Sequence, residues 1–129
     1  MNKLLMAVVA AVLSGCAAIG LVRTDLPVQI ENEPVMLRDG NTMPEVIKKA
    51  AARRNWATAK IEDEDTIRCT LDNRGKKVVV DVHYLDNSFT ITYVSSEGLN
   101  YNETTGEIHP KYNQWVRNLG KDIVAEARR

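Results

Sequence analysis

From Ile67 to Tyr93 the chain alternates apolar and polar residues through three successive runs, and two short turns hold those runs in one register. In Ile67-Arg68-Cys69-Thr70-Leu71 the apolar residues fall on odd numbers, in Val78, Val80, Val82 and Tyr84 on even ones, and Phe89, Ile91 and Tyr93 return to odd. Side chains of a strand point alternately to its two faces, so each run presents one face suited to a core. A turn at Asp86-Asn87 sets Tyr84 opposite Phe89, Val82 opposite Ile91 and Val80 opposite Tyr93. With Arg74-Gly75 as the other turn, Leu71 meets Val78, Cys69 meets Val80 and Ile67 meets Val82. A slip of one residue in either hairpin would turn the apolar set to water, so the pattern predicts one meander in one register. Its other face carries Arg68 opposite Asp81 opposite Thr92, and Thr66 opposite His83 opposite Thr90. An earlier strand, Trp56 to Ile61, is expected to join through the acidic turn Glu62-Asp63-Glu64-Asp65, with Ala57, Ala59 and Ile61 inward and Cys69 between Ala59 and Val80.

Helices are expected on both sides of this meander in the chain. Thr42-Met43-Pro44-Glu45 has the spacing of a capping box, and Pro44 fits a helix start because its missing N–H would be unpaired there anyway. Val46, Ile47, Ala50 and Ala51 then recur on one face, and Asn55 can close the helix in a left-handed conformation. After Ser95 a loop rich in Gly and Asn leads to His109-Pro110, a helix entry, and Tyr112, Trp115, Val116, Leu119, Ile123 and Ala127 mark one long helical face. Gly120 lies on that face, where it allows close approach to the sheet. The expected fold is therefore α+β: residues 42–129 form a single domain, a two-layer sandwich in which a four-stranded antiparallel meander sheet carries an N-terminal and a long C-terminal helix on one face.

The start of the chain has a different character. Lys3 precedes a wholly apolar stretch, Leu4 to Val12, and small residues follow at Ser14 and Gly15, which is the layout of a secretory signal. The stretch is shorter than the ~20 residues a membrane-spanning helix needs. Leu13-Ser14-Gly15-Cys16 resembles the bacterial lipoprotein signal at all of its positions. That resemblance implies cleavage of residues 1–15, a diacylglycerol on the Cys16 sulfur, and membrane attachment through that anchor alone. Two or three acyl chains, at ~0.8 kcal/mol per buried methylene, hold a domain on a bilayer almost permanently. Ala17 follows the cysteine in place of the aspartate that retains many lipoproteins in the inner membrane. The family pattern therefore implies the outer membrane, facing the periplasm. Residues 16–41, with Pro27, Pro34 and no sustained period, read as the lipidated cysteine and a tether whose second half can add an edge strand. The full chain has 17 basic and 17 acidic residues, and loss of Lys3 with the signal leaves a net charge of −1, which does not direct the domain to nucleic acid.

Candidate chemistry is sparse. Cys69 has no intramolecular partner once Cys16 is lipidated, and a lone thiol is either a nucleophile or a small apolar filler; its inward register favours the filler. The four carboxylates at Glu62–Asp65 lack the two-residue ligand spacing and the Gly of a helix-loop-helix calcium site, so a solvated turn is expected. His83 and His109 have no zinc-ligand spacing, and His109 is placed to cap a helix. No nucleophile elbow, phosphate loop or zincin motif is present, so no metal, cofactor or catalytic residue is expected. The polar sheet face with Arg68, Asp81 and His83, and the aromatic set Tyr93, Tyr101, Tyr112 and Trp115, are the candidate binding surfaces. The aromatic set is either core or a groove for a glycan or peptide.

Trp56, Thr90–Ser96 "TITYVSS", Leu99–Tyr101 "LNY" and Ile108–Leu119 "IHPKYNQWVRNL" resemble a family of small uncharacterised proteobacterial lipoproteins. The resemblance implies a location and a fold without a mechanism. The chain is thus expected to be a non-enzymatic, lipid-anchored envelope module that binds an envelope protein or glycan through the polar sheet face or the loop Ser95–Ile108. Inhibition of an envelope enzyme, or a hydrolase or ligand carrier using the aromatic groove, are the alternatives.

Overall fold

The computed structural model describes residues 23–62 and 64–129; the signal stretch and Cys16 lie outside the described residues. Five strands and two helices follow in the order β1 (Ile30–Pro34), α1 (Met43–Arg53), β2 (Ala57–Ile61), β3 (Thr66–Asn73), β4 (Lys76–Tyr84), β5 (Ser88–Glu97) and α2 (Pro110–Ala127). The fold is α+β, with one antiparallel sheet of five strands in the order β1-β5-β4-β3-β2, one more than the four expected.

The meander has the register that its alternation predicts. Ile67 pairs with Val82, Cys69 with Val80 and Leu71 with Val78; Val82 pairs with Ile91, Val80 with Tyr93 and Tyr84 with Phe89. Arg74 and Gly75 both take positive φ, 52° and 80°, the geometry of the tight hairpin turn whose twist matches that of its strands. Beyond Val80 the pairing shifts: Val79 opposes Ser95, so Val94 is an extra residue that bulges β5. The inward set of Ile67, Cys69, Leu71, Val78, Val80, Val82, Phe89 and Ile91 shares one core cluster with Val46, Ile47, Ala50 and Ala51 of α1 and Tyr112, Val116, Leu119, Ile123 and Ala127 of α2.

β2 sits in the opposite phase from the expectation. Thr58 pairs with Cys69, while Ala57, Ala59 and Ile61 pair with Thr70, Arg68 and Thr66 on the polar side. Trp56 sets this phase. It is 4% exposed, and burial of one indole removes far more apolar surface from water than burial of two alanine methyls. The turn before it is fixed as well: Asn55 has φ 67°, its N–H donates to the Ala52 carbonyl, and the Trp56 N–H donates to that of Ala51, a closed C-terminal turn on α1. At the other end of α1 Thr42 is the N-cap as expected, but its side chain makes no capping hydrogen bond.

The fifth strand comes from the stretch read as a tether whose second half can add an edge strand, and β1 takes that edge place. Ile30 pairs with Ile91, the register shifts at Asn32 (φ 47°), and Glu33 then faces Phe89. Pro34 is tolerated because β1 is an edge strand. Upstream, Asp25 bridges to Ile108, the Thr24 hydroxyl donates to Glu107 at 2.8 Å, and buried Asn113 fastens the chain twice: its Oδ1 accepts from the Val28 N–H at 2.6 Å and its Nδ2 donates to the Leu26 carbonyl at 2.9 Å. The folded unit therefore begins well before residue 42. A Cβ on Gly120 would lie 3.0 Å from Ile30 Cδ1, so the bare α-carbon there lets α2 approach β1. The helices are tied at their ends, where buried Glu126 takes Arg53 at 2.8 Å and Asp122 takes Arg54 at 2.8 Å.

Gly98 follows β5 with φ 73°, and a Cβ there would sit 2.5 Å from the Gly75 carbonyl oxygen. Backbone cannot retreat as a flexible side chain does. Gly98→Ala should therefore cost more than ~2 kcal/mol in urea unfolding, whereas Gly106→Ala, with φ 78° but open space around it, should cost about 1–2 kcal/mol. Equal costs at the two positions would show that the β5 loop does not rest on the β3–β4 turn.

Candidate functional site

The register brings Arg68, Asp81 and His83 together on the polar side of the sheet. Arg68 forks onto Asp81, Nε to Oδ1 at 2.8 Å and Nη2 to Oδ2 at 2.9 Å, across the β3–β4 pair. One residue pair along, the His83 ring lies between two hydroxyls, with Nδ1 2.8 Å from Thr66 Oγ1 and Nε2 3.0 Å from Thr92 Oγ1. A neutral imidazole has one donor and one acceptor nitrogen, so both are engaged in either tautomer. This arrangement does not resemble an activated nucleophile. Thr66 is 3% exposed, and the carboxylate that would orient the histidine, Asp81, is taken by Arg68. What the face offers is a fixed pattern of donors and acceptors.

The aromatic set divides. Tyr93 stacks on Tyr101 at 4.6 Å and 28°, and meets Tyr112 edge-on at 5.6 Å and 70°. Tyr112 is 1% exposed, and burial holds its phenol protonated well above the ordinary range, so it is core rather than binding surface. Tyr101, at 37% exposed, covers the cluster from the solvent side. The Tyr93 hydroxyl is 2.8 Å from that of Ser96. Trp115 is not part of this group. Partly buried, it lines a separate depression together with Trp56.

The remaining candidates have structural places. The His109 Nδ1 accepts from the Lys111 N–H at 3.0 Å and caps α2, as its position before Pro110 predicts. Among the described residues no three His, Cys, Asp or Glu side chains gather as a metal site, and Asp63 of the acidic turn lies outside them. Sequence reasoning missed Asn113, whose role depends on a segment far away in the chain, and also the carboxamides of Asn55, Asn73, Gln114 and Asn118, which come from three elements and share no spacing. Comparison with known proteins gives no match to a family model, to a curated protein or to a solved structure.

Cys69 is fully buried, and burial, with a smaller contribution from the Asp81 charge, pushes its thiol up to about 12. In a Cys16→Ser background, Cys69 should react with a thiol reagent only after denaturant is added, and fast labelling of the native protein would contradict its place between Thr58 and Val80. Because the folded thiol ionises at higher pH than the unfolded one, the unfolded chain releases its proton first as pH rises. Stability carried by the protonated thiol is therefore present below about pH 9 and lost between there and about 12. Cys69→Ala should flatten that part of the stability–pH curve.

Proposed function

We propose that this chain is a lipid-anchored bacterial envelope protein that binds a partner and catalyses no reaction. The observation that carries the reading is the LSGC box at Leu13–Cys16, closing an apolar stretch too short to cross a bilayer. In this reading attachment rests on Cys16; among the described residues no helix is long and apolar enough to cross a membrane. The anchor holds the domain on the periplasmic side of the outer membrane, and the resemblance to small proteobacterial lipoproteins supports the same placement.

The partner surface in this reading is the polar side of the sheet. Both helices pack on the apolar side, which leaves the Arg68–Asp81 fork, His83 and Thr92 on the outward side, with buried Thr66 holding the histidine from one end. A pre-ordered polar surface spends little conformational entropy when a partner docks, and its charge pair and hydroxyls set register more than raw affinity. The absence of catalysis is supported by the occupied histidine and the buried, protonated thiol.

Two measurements test this. Cys16→Ser should abolish acyl labelling and move the protein from the membrane to the soluble fraction; retention with continued labelling would end the lipoprotein reading. Crosslinking in intact envelopes should capture a partner from a probe placed at Thr92 and lose it in Arg68→Glu, while the same partner captured equally by both would move the interface elsewhere.

A further inference from the structure

We infer that the depression between the closing turn of α1, the end of β3 and the first half of α2 is a saccharide-binding site. It encloses about 430 Å³, within the roughly 300–1,000 Å³ of small-molecule sites. Its lining combines the indoles of Trp56 and Trp115 with four carboxamides, those of Asn55, Asn73, Gln114 and Asn118. This inference goes beyond the partner surface proposed above and does not depend on the lipid anchor.

The chemistry of the lining selects the ligand class. Each carboxamide offers two N–H donors and one carbonyl acceptor without charge, which matches adjacent hydroxyls or an acetamido group. The partly buried Trp115 can offer an indole face to the C–H face of a pyranose ring, while Trp56, almost fully buried, belongs to the floor. Arg54 also lines the depression, where its Nε is bound to Asp122 at 2.8 Å and the carboxylate partly offsets its charge. Asp72 at the rim adds an acceptor for hydroxyls and further disfavours an anionic ligand.

What sets the four lining carboxamides apart is that they gather in one depression. Among the described residues the side chains of Gln29, Asn32, Asn87 and Asn100 likewise bond to no other protein group, but they are scattered, whereas Asn55, Asn73, Gln114 and Asn118 face the same space. The lining amides are also held on rigid backbone. Asn55 occupies the left-handed position that closes α1, Asn73 pairs with Lys76 at the hairpin end, and Gln114 and Asn118 stand one helical turn apart on α2. Their α-carbons are thereby placed in advance, and only the side-chain rotamers are ordered when a ligand arrives.

The chain has two tryptophans, Trp56 and Trp115, and both line this depression, so intrinsic tryptophan emission reads the site without a label. The full chain, in a detergent without sugar headgroups, would be titrated with a β-1,4-linked N-acetylglucosamine tetramer and, separately, with a β-1,4-linked glucose tetramer, which is equally neutral but lacks the acetamido groups. A saturable change in emission with either sugar is expected, and tighter binding of the first assigns the carboxamides to an acetamido group rather than to hydroxyls alone. Gln114→Ala combined with Asn118→Ala should weaken that binding at least tenfold while leaving the unliganded Tm unchanged. Emission that stays constant at millimolar concentrations of both sugars, or binding that is equally tight in the double variant, would overturn the assignment. Either result is independent of where the Cys16→Ser protein fractionates.

Discussion

A sheet that is apolar on one side only has to keep that side dry, and everything else in this domain is arranged around that requirement. Val80 lies at the centre of the apolar side, between Cys69 and Tyr93, and its neighbours Val78, Val82 and Ile91 are likewise almost fully removed from water. At roughly 25 cal/mol per Å² of apolar surface buried, such a cluster is the main favourable contribution available to a small domain whose one described cysteine, Cys69, is a free thiol. It also fixes geometry, because a one-residue slip would expose the whole set. The Arg68–Asp81 fork and the Thr66–His83–Thr92 chain are consequences of that register, since they occupy the same strands in the opposite phase.

The central strands were legible in the sequence because each was specified twice, by the period of its side chains and by the turn joining it to the next. Where only one of these signals was present, reading failed. β2 has two alanines and an isoleucine in alternation, a pattern that suggests an inward face, but the neighbouring Trp56 sits in the opposite phase and dominates the burial. β1 carries no period at all. Its placement depends on Asn113, which bonds both Leu26 and Val28 from α2, and on a kink at Asn32, neither of which is written in the local sequence.

The candidate surfaces were legible to the same degree and for the same reason. Arg68, Asp81 and His83 were found as a group because strand register alone places them. Tyr112 and Trp115 share a helical stripe, yet they have different surroundings: Tyr112 enters the core beside Tyr93, and Trp115 lines a depression with Trp56. Helical periodicity resolves which side of a helix is buried, and it does not resolve which of two adjoining clusters a side chain at the margin of that side will join.

The ion pairs at the helix ends connect the fold to this margin. Arg53 to Glu126 and Arg54 to Asp122 join the last residue of α1 and its C-cap to residues four apart on α2. The exposed arginines make each pair a small contributor to stability, since water screens them. Their position matters more than their strength. Arg53 and Arg54 immediately precede Asn55 and Trp56, so the two pairs join α2 to the turn that lines the depression, and Asp122 engages the Nε of the guanidinium that lines it.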